Sequence, residues 1–213
     1  MQFINISGVP MSGKSTIGKN LTDKLNQIGQ KTVFIEVDNL ISDTEKTKNK
    51  EKANGNEGLE LKLNEDTKRK HLIDLINKYA ESGEYSAVVF SCLIMSDFHN
   101  ICKDLYGKNY KSISLVPPLN ALLKKRGDRA PTKGIKKLVK QMYTEWGLDK
   151  PKTADLIIDN SKITIEQCVN GIVEFLQTGK TKIANKNKSL KNATINMINR
   201  LKSVFLRNNN MEK

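Results

Sequence analysis

Arginine is scarce in this chain. Only five of its 36 basic residues are arginine: Arg69, Arg126, Arg129, Arg200 and Arg207. The net charge of +13 is also uneven. Residues 180–213 carry nine Lys/Arg and one Glu, which leaves +5 for the first 179 residues. Nucleic-acid surfaces rely on concentrated phosphate contacts, many of them bidentate arginine pairs. A lysine-rich chain with its charge gathered in the tail is therefore not expected to bind nucleic acid. Cysteine is rare as well. Cys92, Cys102 and Cys168 are scattered with no C-x-x-C pair, a pattern that fits a reducing cytosol and small buried side chains rather than a disulfide framework. No apolar run approaches the roughly 20 residues of a membrane span, and no signal-peptide pattern is present. The expectation is a cytoplasmic α/β protein of one main domain.

Against these absences stands one dense motif, "GVPMSGKST", Gly8 to Thr16. It fits G-x-x-x-x-G-K-[ST] with Gly8, Gly13, Lys14 and Ser15 in the fixed positions. The glycines let the backbone wind around a polyphosphate with its N–H groups turned inward. Val9, Pro10, Met11, Ser12 and Thr16 complete the cradle. Lys14 would reach the β- and γ-phosphates, and the Ser15 hydroxyl would ligate Mg²⁺. A helix starting near Lys14 adds its positive end. Context agrees: "QFINIS" precedes as a short strand, and Ile17, Leu21, Leu25 and Ile28 follow at helical spacing.

Further along, "KTVFIEVDN" reads as a second strand ending at Asp38. Residues 42–64 are polar, lack apolar periodicity until Leu59, and read as a long surface insertion, flexible at least in its first half. A helix with Leu72, Leu75, Ile76 and Tyr79 follows. Then come a strand "YSAVVFSCLI", a short helix with Phe98, Ile101, Cys102 and Leu105 inward, and a strand "YKSISLV". The stretch from Leu119 to Trp146 is mostly helical but broken at Gly127 and Pro131, and "ADLIID" is a fifth strand. A closing helix buries Ile165, Cys168, Val169, Ile172, Val173 and Leu176. Five buried strands alternating with helices predict a five-stranded parallel sheet covered on both faces, of the P-loop kinase type. The domain spans residues 1–179, with a lid region over 124–150. Residues 180–213 form a basic linker and a short amphipathic helix with Ile195, Ile198, Leu201 and Phe205 on one side.

Motors and switches with this loop usually end a buried strand in a Mg²⁺-holding Asp. Here the third strand has Ser91 at that point, while a carboxylate, Asp38, follows the second. Such a carboxylate suits taking a proton from an attacking hydroxyl. "KKRGDRAPTKG" puts Arg126, Arg129 and Lys133 in a segment rich in helix breakers, as a lid over phosphates requires. These are the features of a small-molecule kinase.

In that order the stretches "GVPMSGKSTIGKNL", "FIEVDN", "VVFSCLI", "TKGIKKLVK" and "WGLDKPKTADLIIDN" resemble the adenylylsulfate kinase family over roughly residues 2–178. The resemblance implies ATP and Mg²⁺, a hydroxyl acceptor and often a dimer. It gives Asp38 the role of base and puts Asn39 and Lys133 near the acceptor, where Ser91 is grouped with them. Arg126 and Arg129 fall to the nucleotide phosphates. Two positions depart from the family pattern: Ile41 stands in place of an arginine, and "SCLIMSDF" lacks another. Adenylylsulfate, or a related and less charged metabolite, is the acceptor this leaves. The alternative is a nucleotide-binding regulatory or partner-binding protein that has lost the acceptor site.

Overall fold

The computed structural model describes residues 1–92, 96–124, 130–144 and 154–183. Five strands, β1 (Gln2–Gly8), β2 (Thr32–Glu36), β3 (Ala87–Cys92), β4 (Tyr110–Leu115) and β5 (Leu156–Ile158), form one sheet in the order β2-β3-β1-β4-β5. Every pairing is parallel, as the long βα connections require. Between the strands lie α1 (Lys14–Gln27), α2 (Asp43–Ala53), α3 (Glu57–Ser82), α4 (Ser96–Tyr106), α5 (Leu119–Leu122) and α6 (Lys133–Thr144), and α7 (Ile165–Thr178) follows β5.

Strand alternation divides the core. Ile4, Ile6, Val89 and Ile113 face α1 and α7, where Leu21, Leu25, Cys168 and Ile172 meet them. Phe3, Val88 and Phe90 face the other way, onto Leu72 and Ile76 of α3 and Phe98 and Cys102 of α4. Side chains with a period of two thus fill both faces of a buried sheet. A smaller cluster joins Val9, just after β1, to Leu122 of α5 and Val139 and Met142 of α6.

The structure corrects several expectations. Residues 42–64 are not a flexible insertion but α2 and the first turns of α3. Ser42 caps α2 in a reciprocal box with Glu45, and Asn56 caps α3 by accepting from the Leu59 N–H at 3.0 Å. Hydrophobic periodicity missed α2 because its seam is polar: the buried Asn49 amide donates to Asn64 Oδ1 at 3.0 Å and to Thr67 Oγ1 at 3.2 Å. The inner face of α4 is Phe98, His99 and Cys102, while Ile101 and Leu105 point outward. Ile165, at the start of α7, is also exposed. Strand β2 stops at Glu36, and Asp38 sits in a 3₁₀ turn, Val37–Asn39. Residues 180–183, expected as linker, lie back along α7, where the Ile183 side chain packs against the bare face of Gly171. The amphipathic stretch of the tail falls outside the described residues.

Candidate functional site

The loop from Gly8 to Gly13 joins β1 to α1 at the carboxyl edge of the sheet, where ligands of such folds sit. Its tight path depends on glycine. A Cβ on Gly8 would lie 2.4 Å from Ser12 Oγ and 2.9 Å from the Leu115 carbonyl. Gly13 takes φ 91° and Met11 φ 67°, both left-handed. The Ser12 N–H closes the turn on the Val9 carbonyl at 3.2 Å. The first helical bond of α1 runs from the Ile17 N–H to Gly13, so the N–H groups of Lys14, Ser15 and Thr16 have no partner within the helix. These are the donors an anion would take. Ser12 Oγ is buried with no hydrogen-bond partner among the described residues.

Lys14 is half-buried, and its ammonium donates to the Val9 carbonyl at 3.1 Å. Burial pulls its pKa below the ordinary lysine value; the Asp38 carboxylate opposes that shift, as do Cys92 and Glu65 more weakly. The lysine is therefore a cation held in a partly dry loop, facing carboxylates and short of charge partners. Asn160, just after β5, donates from Nδ2 to the Ser12 carbonyl at 2.9 Å and braces the loop from the far side.

Asp38 and Asn39 are exposed at the carboxyl edge of β2. Asp38 pairs with Lys68 Nζ at 3.4 Å, and Lys68 pairs more closely with Glu65 Oε1 at 2.9 Å. Burial lowers the Lys68 pKa, but the bond to Glu65 and the charges of Glu65 and Asp38 outweigh it and hold the ammonium above the usual value. Arg69 pairs with Asp66 at 3.5 Å and lies over the Phe98 ring. Ser91 is buried on the same strand face as Ala87 and Val89, toward α1, whereas Cys92 turns to the α3 side and donates to Asn5 Oδ1 at 3.1 Å. The structure thus gathers Gly8 to Thr16, Asp38 and Asn39 at one edge, with Ser91 beneath. Lys133 is exposed at the start of α6 and forms no ion pair with a described carboxylate. Arg126, Arg129 and the "GLDKP" stretch fall outside the described residues. The second half of the lid region, α6, is packed on Val9 and Met11 of the loop.

Sequence reading missed Asn160, Glu65 and Lys68. Glu65, Lys68 and Arg69 fall at i, i+3 and i+4 of one helix and so share a face, but nothing local in the sequence marks Asp38 as the partner of that face. Asn160 is the second polar residue beyond an apolar strand end, the position from which such sheets contact ligands.

A parallel sheet in this order, with a glycine-rich phosphate loop between β1 and α1, defines a P-loop α/β protein of the kinase type. Known proteins agree. An adenylyl-sulfate kinase of Clostridium acetobutylicum is 26% identical over 185 residues, covering 84% of this chain and 82% of the relative. Shikimate kinase from Aquifex aeolicus superposes with a TM-score of 0.53 at 21% identity, over 84% of this chain and 98% of that one. APS kinase from Mycobacterium tuberculosis, in complex with AMPPNP and APS, gives a TM-score of 0.54 at 16% identity, over 83% and 98% of the two chains. The family described as chromatin associated protein KTI12 matches residues 1–83, from β1 to the end of α3. The chain is similar to adenylyl-sulfate kinases and shares the fold of small-molecule kinases. Among the described residues no helix is long and apolar enough to cross a membrane.

Proposed function

We propose that this chain is an ATP-dependent kinase that transfers the γ-phosphoryl group to a hydroxyl of a small molecule, adenylylsulfate or a related metabolite. The observation that carries the reading is Lys14. It is a half-buried cation in a loop lined by spare N–H donors, in the field of a carboxylate, Asp38, from the neighbouring turn. A loop of this kind binds a polyphosphate, and the carboxylate beside it meets the acceptor.

The residues divide the work. The N–H groups of the loop and of the first turn of α1 hold the β- and γ-phosphates, with Lys14 Nζ across the bridging oxygens. Asp38 is exposed enough to meet an incoming hydroxyl and takes its proton as the bond to phosphorus forms. Asn39 orients the same hydroxyl. The metal fits as a nucleotide-borne ion: among the described residues no three His, Cys, Asp or Glu side chains cluster to hold one, and the half-exposed Ser15 hydroxyl at the start of α1 would be its protein ligand. Mg²⁺, when bound there with the nucleotide, neutralises charge shared by the β- and γ-phosphates. Lys133, Arg126 and Arg129 approach from the lid region.

The test is ADP release from ATP with and without candidate hydroxyl compounds, read together with the mass gain of one phosphoryl group on the acceptor. Acceptor-stimulated release supports the kinase. Tight ATP binding with turnover indifferent to every acceptor supports a second reading, a nucleotide-binding protein that acts through a partner. The match of residues 1–83 to a family described as chromatin associated favours that second reading, because it covers the loop, Asp38 and α3 without β4 or β5.

A further inference from the structure

On the side of Asp38, two cations of α3 are already engaged. Lys68, whose side chain is 15% exposed, is held at 2.9 Å by Glu65 and at 3.4 Å by Asp38. Arg69 is held by Asp66 at 3.5 Å and by the Phe98 ring. Three carboxylates, Asp38, Glu65 and Asp66, therefore face two cations. Lys14 belongs to the phosphate loop, where it serves a nucleotide. A polyanionic acceptor would have to draw Lys68 away from Glu65 and Asp38. That would leave two carboxylates unpaired next to the incoming negative charge; Asp38, 81% exposed, is largely screened by solvent, but Glu65, 19% exposed, is not, and its repulsion opposes the anion. Ile41, buried at 5% exposure where an arginine would be needed, adds no charge.

We infer that the acceptor of this kinase is a neutral or cationic hydroxyl compound, such as a polyol or an amino alcohol, and not a phosphate- or sulfate-bearing one, because Glu65 and Asp38 together tie down Lys68 at the mouth of the site. The inference rests on the kinase reading and narrows its substrate class. It also assigns Glu65 a role: a specificity residue that acts by holding Lys68 back. Glu65 lies on α3 and reaches Lys14 of the phosphate loop only through its charge, so ATP-analogue affinity is measured in the same variant beside adenylylsulfate.

Calorimetry on the full chain with Mg²⁺ and a non-hydrolysable ATP analogue tests this, with adenylylsulfate as the anionic probe. The native protein should give no saturable heat with adenylylsulfate. Glu65→Gln keeps the shape, frees Lys68 from its closer partner and should gain binding of roughly tenfold or more. Micromolar binding by the native protein overturns the inference, and so does a Glu65→Gln protein that gains nothing. In a size-matched panel, neutral and amine-bearing alcohols should stimulate ADP release above phosphorylated and sulfated ones; the reverse order also overturns it. Heat from the ATP analogue reports separately on the underlying reading. Its absence removes the kinase, whereas normal analogue binding beside tight adenylylsulfate binding removes only the acceptor class.

Discussion

Asn160 and Ser12 lie 148 positions apart in the chain, and the Asn160 amide donates to the Ser12 carbonyl at 2.9 Å. The loop after β5 thereby supports the phosphate loop after β1, across the intervening β4. The bond fixes the carbonyl of a residue whose own hydroxyl is buried without a partner, so it restrains the loop where little else does. Asn160→Ala should lower stability by about 1 kcal/mol, which is roughly 2–4 °C in Tm for a chain of this size. It should weaken ATP-analogue binding about three- to tenfold, because a looser cradle must be ordered on binding. Asn160→Asp removes the donor and adds an anion, so it should weaken binding further at a similar Tm. Thermal unfolding beside analogue titration separates the two effects, and unchanged affinity in both variants would remove Asn160 from the site.

Glu45 links the α2 cap to α3. Its carboxylate accepts from the Ser42 N–H at 2.9 Å and hydroxyl at 2.7 Å, and contacts His71 Nε2 at 2.7 Å. Those bonds, the Ser42 backbone one first, hold its pKa down to about 2 from an ordinary 4.5. A carboxylate depressed in the folded state adds stability that is present above its unfolded pKa and is lost as pH falls through the folded one. Amide protection across Asp43–Ala53 should therefore fade as pH drops from about 4.5 towards 2. Glu45→Ala should show weak protection of α2 at every pH. Hydrogen exchange read by mass spectrometry distinguishes this from global acid unfolding, which would take α1 at the same pH.

The parts of the fold that were legible in the sequence are those whose signal is local. The G-x-x-x-x-G-K-S spacing located the loop, and the largely apolar runs located the five strands, because a strand buried on both faces is mostly hydrophobic, even where β1 and β4 bury Asn5, Ser7, Ser112 and Ser114. α2 was not legible, since Asn49 replaces an apolar stripe with an amide bonded to Asn64 and Thr67. The rotation of α4 was also hidden. Phe98 and Cys102 fit a stripe with Ile101 and Leu105 as well as one with His99, and only packing against Phe90 and Tyr110 selects the second. Lys68 and Asn160 were missed for one reason: their partners Asp38 and Ser12 lie 30 and 148 positions away, and no periodicity encodes such a meeting.

Lys14 is expected to trade stability for function. Burial lowers its pKa in the folded protein, so the unfolded chain binds that proton more tightly. The resulting penalty is present at neutral pH and is relieved as pH rises towards the model-peptide value of 10.5. Lys14→Met keeps the apolar stem and drops the charge. It should abolish phosphoryl transfer while unfolding at or above the native Tm at pH 7, with the difference closing as pH approaches 10.5. A variant that kept near-native turnover would remove the loop assignment. One that unfolded well below the native protein would show that the bond to the Val9 carbonyl outweighs the desolvation.

Asp38 decides between the roles open to a carboxylate at this edge. As a base it needs exposure towards the acceptor and a charged form at working pH. It lies exposed just beyond β2 and pairs with Lys68 at 3.4 Å. As a metal ligand it would instead support nucleotide binding. Asp38→Asn preserves shape and removes the proton acceptor, so once an acceptor is in hand the transfer rate should fall by about 10²–10⁴ with ATP affinity nearly unchanged. Lys68→Met tests the partner. It leaves Asp38 and Glu65 without the cation between them, so the transfer rate should change while ATP affinity stays nearly native. Loss of ATP affinity in Asp38→Asn with normal residual chemistry would make the residue a metal ligand. A transfer rate unmoved in Lys68→Met would show that the ion pair seen at 3.4 Å plays no part in the reaction.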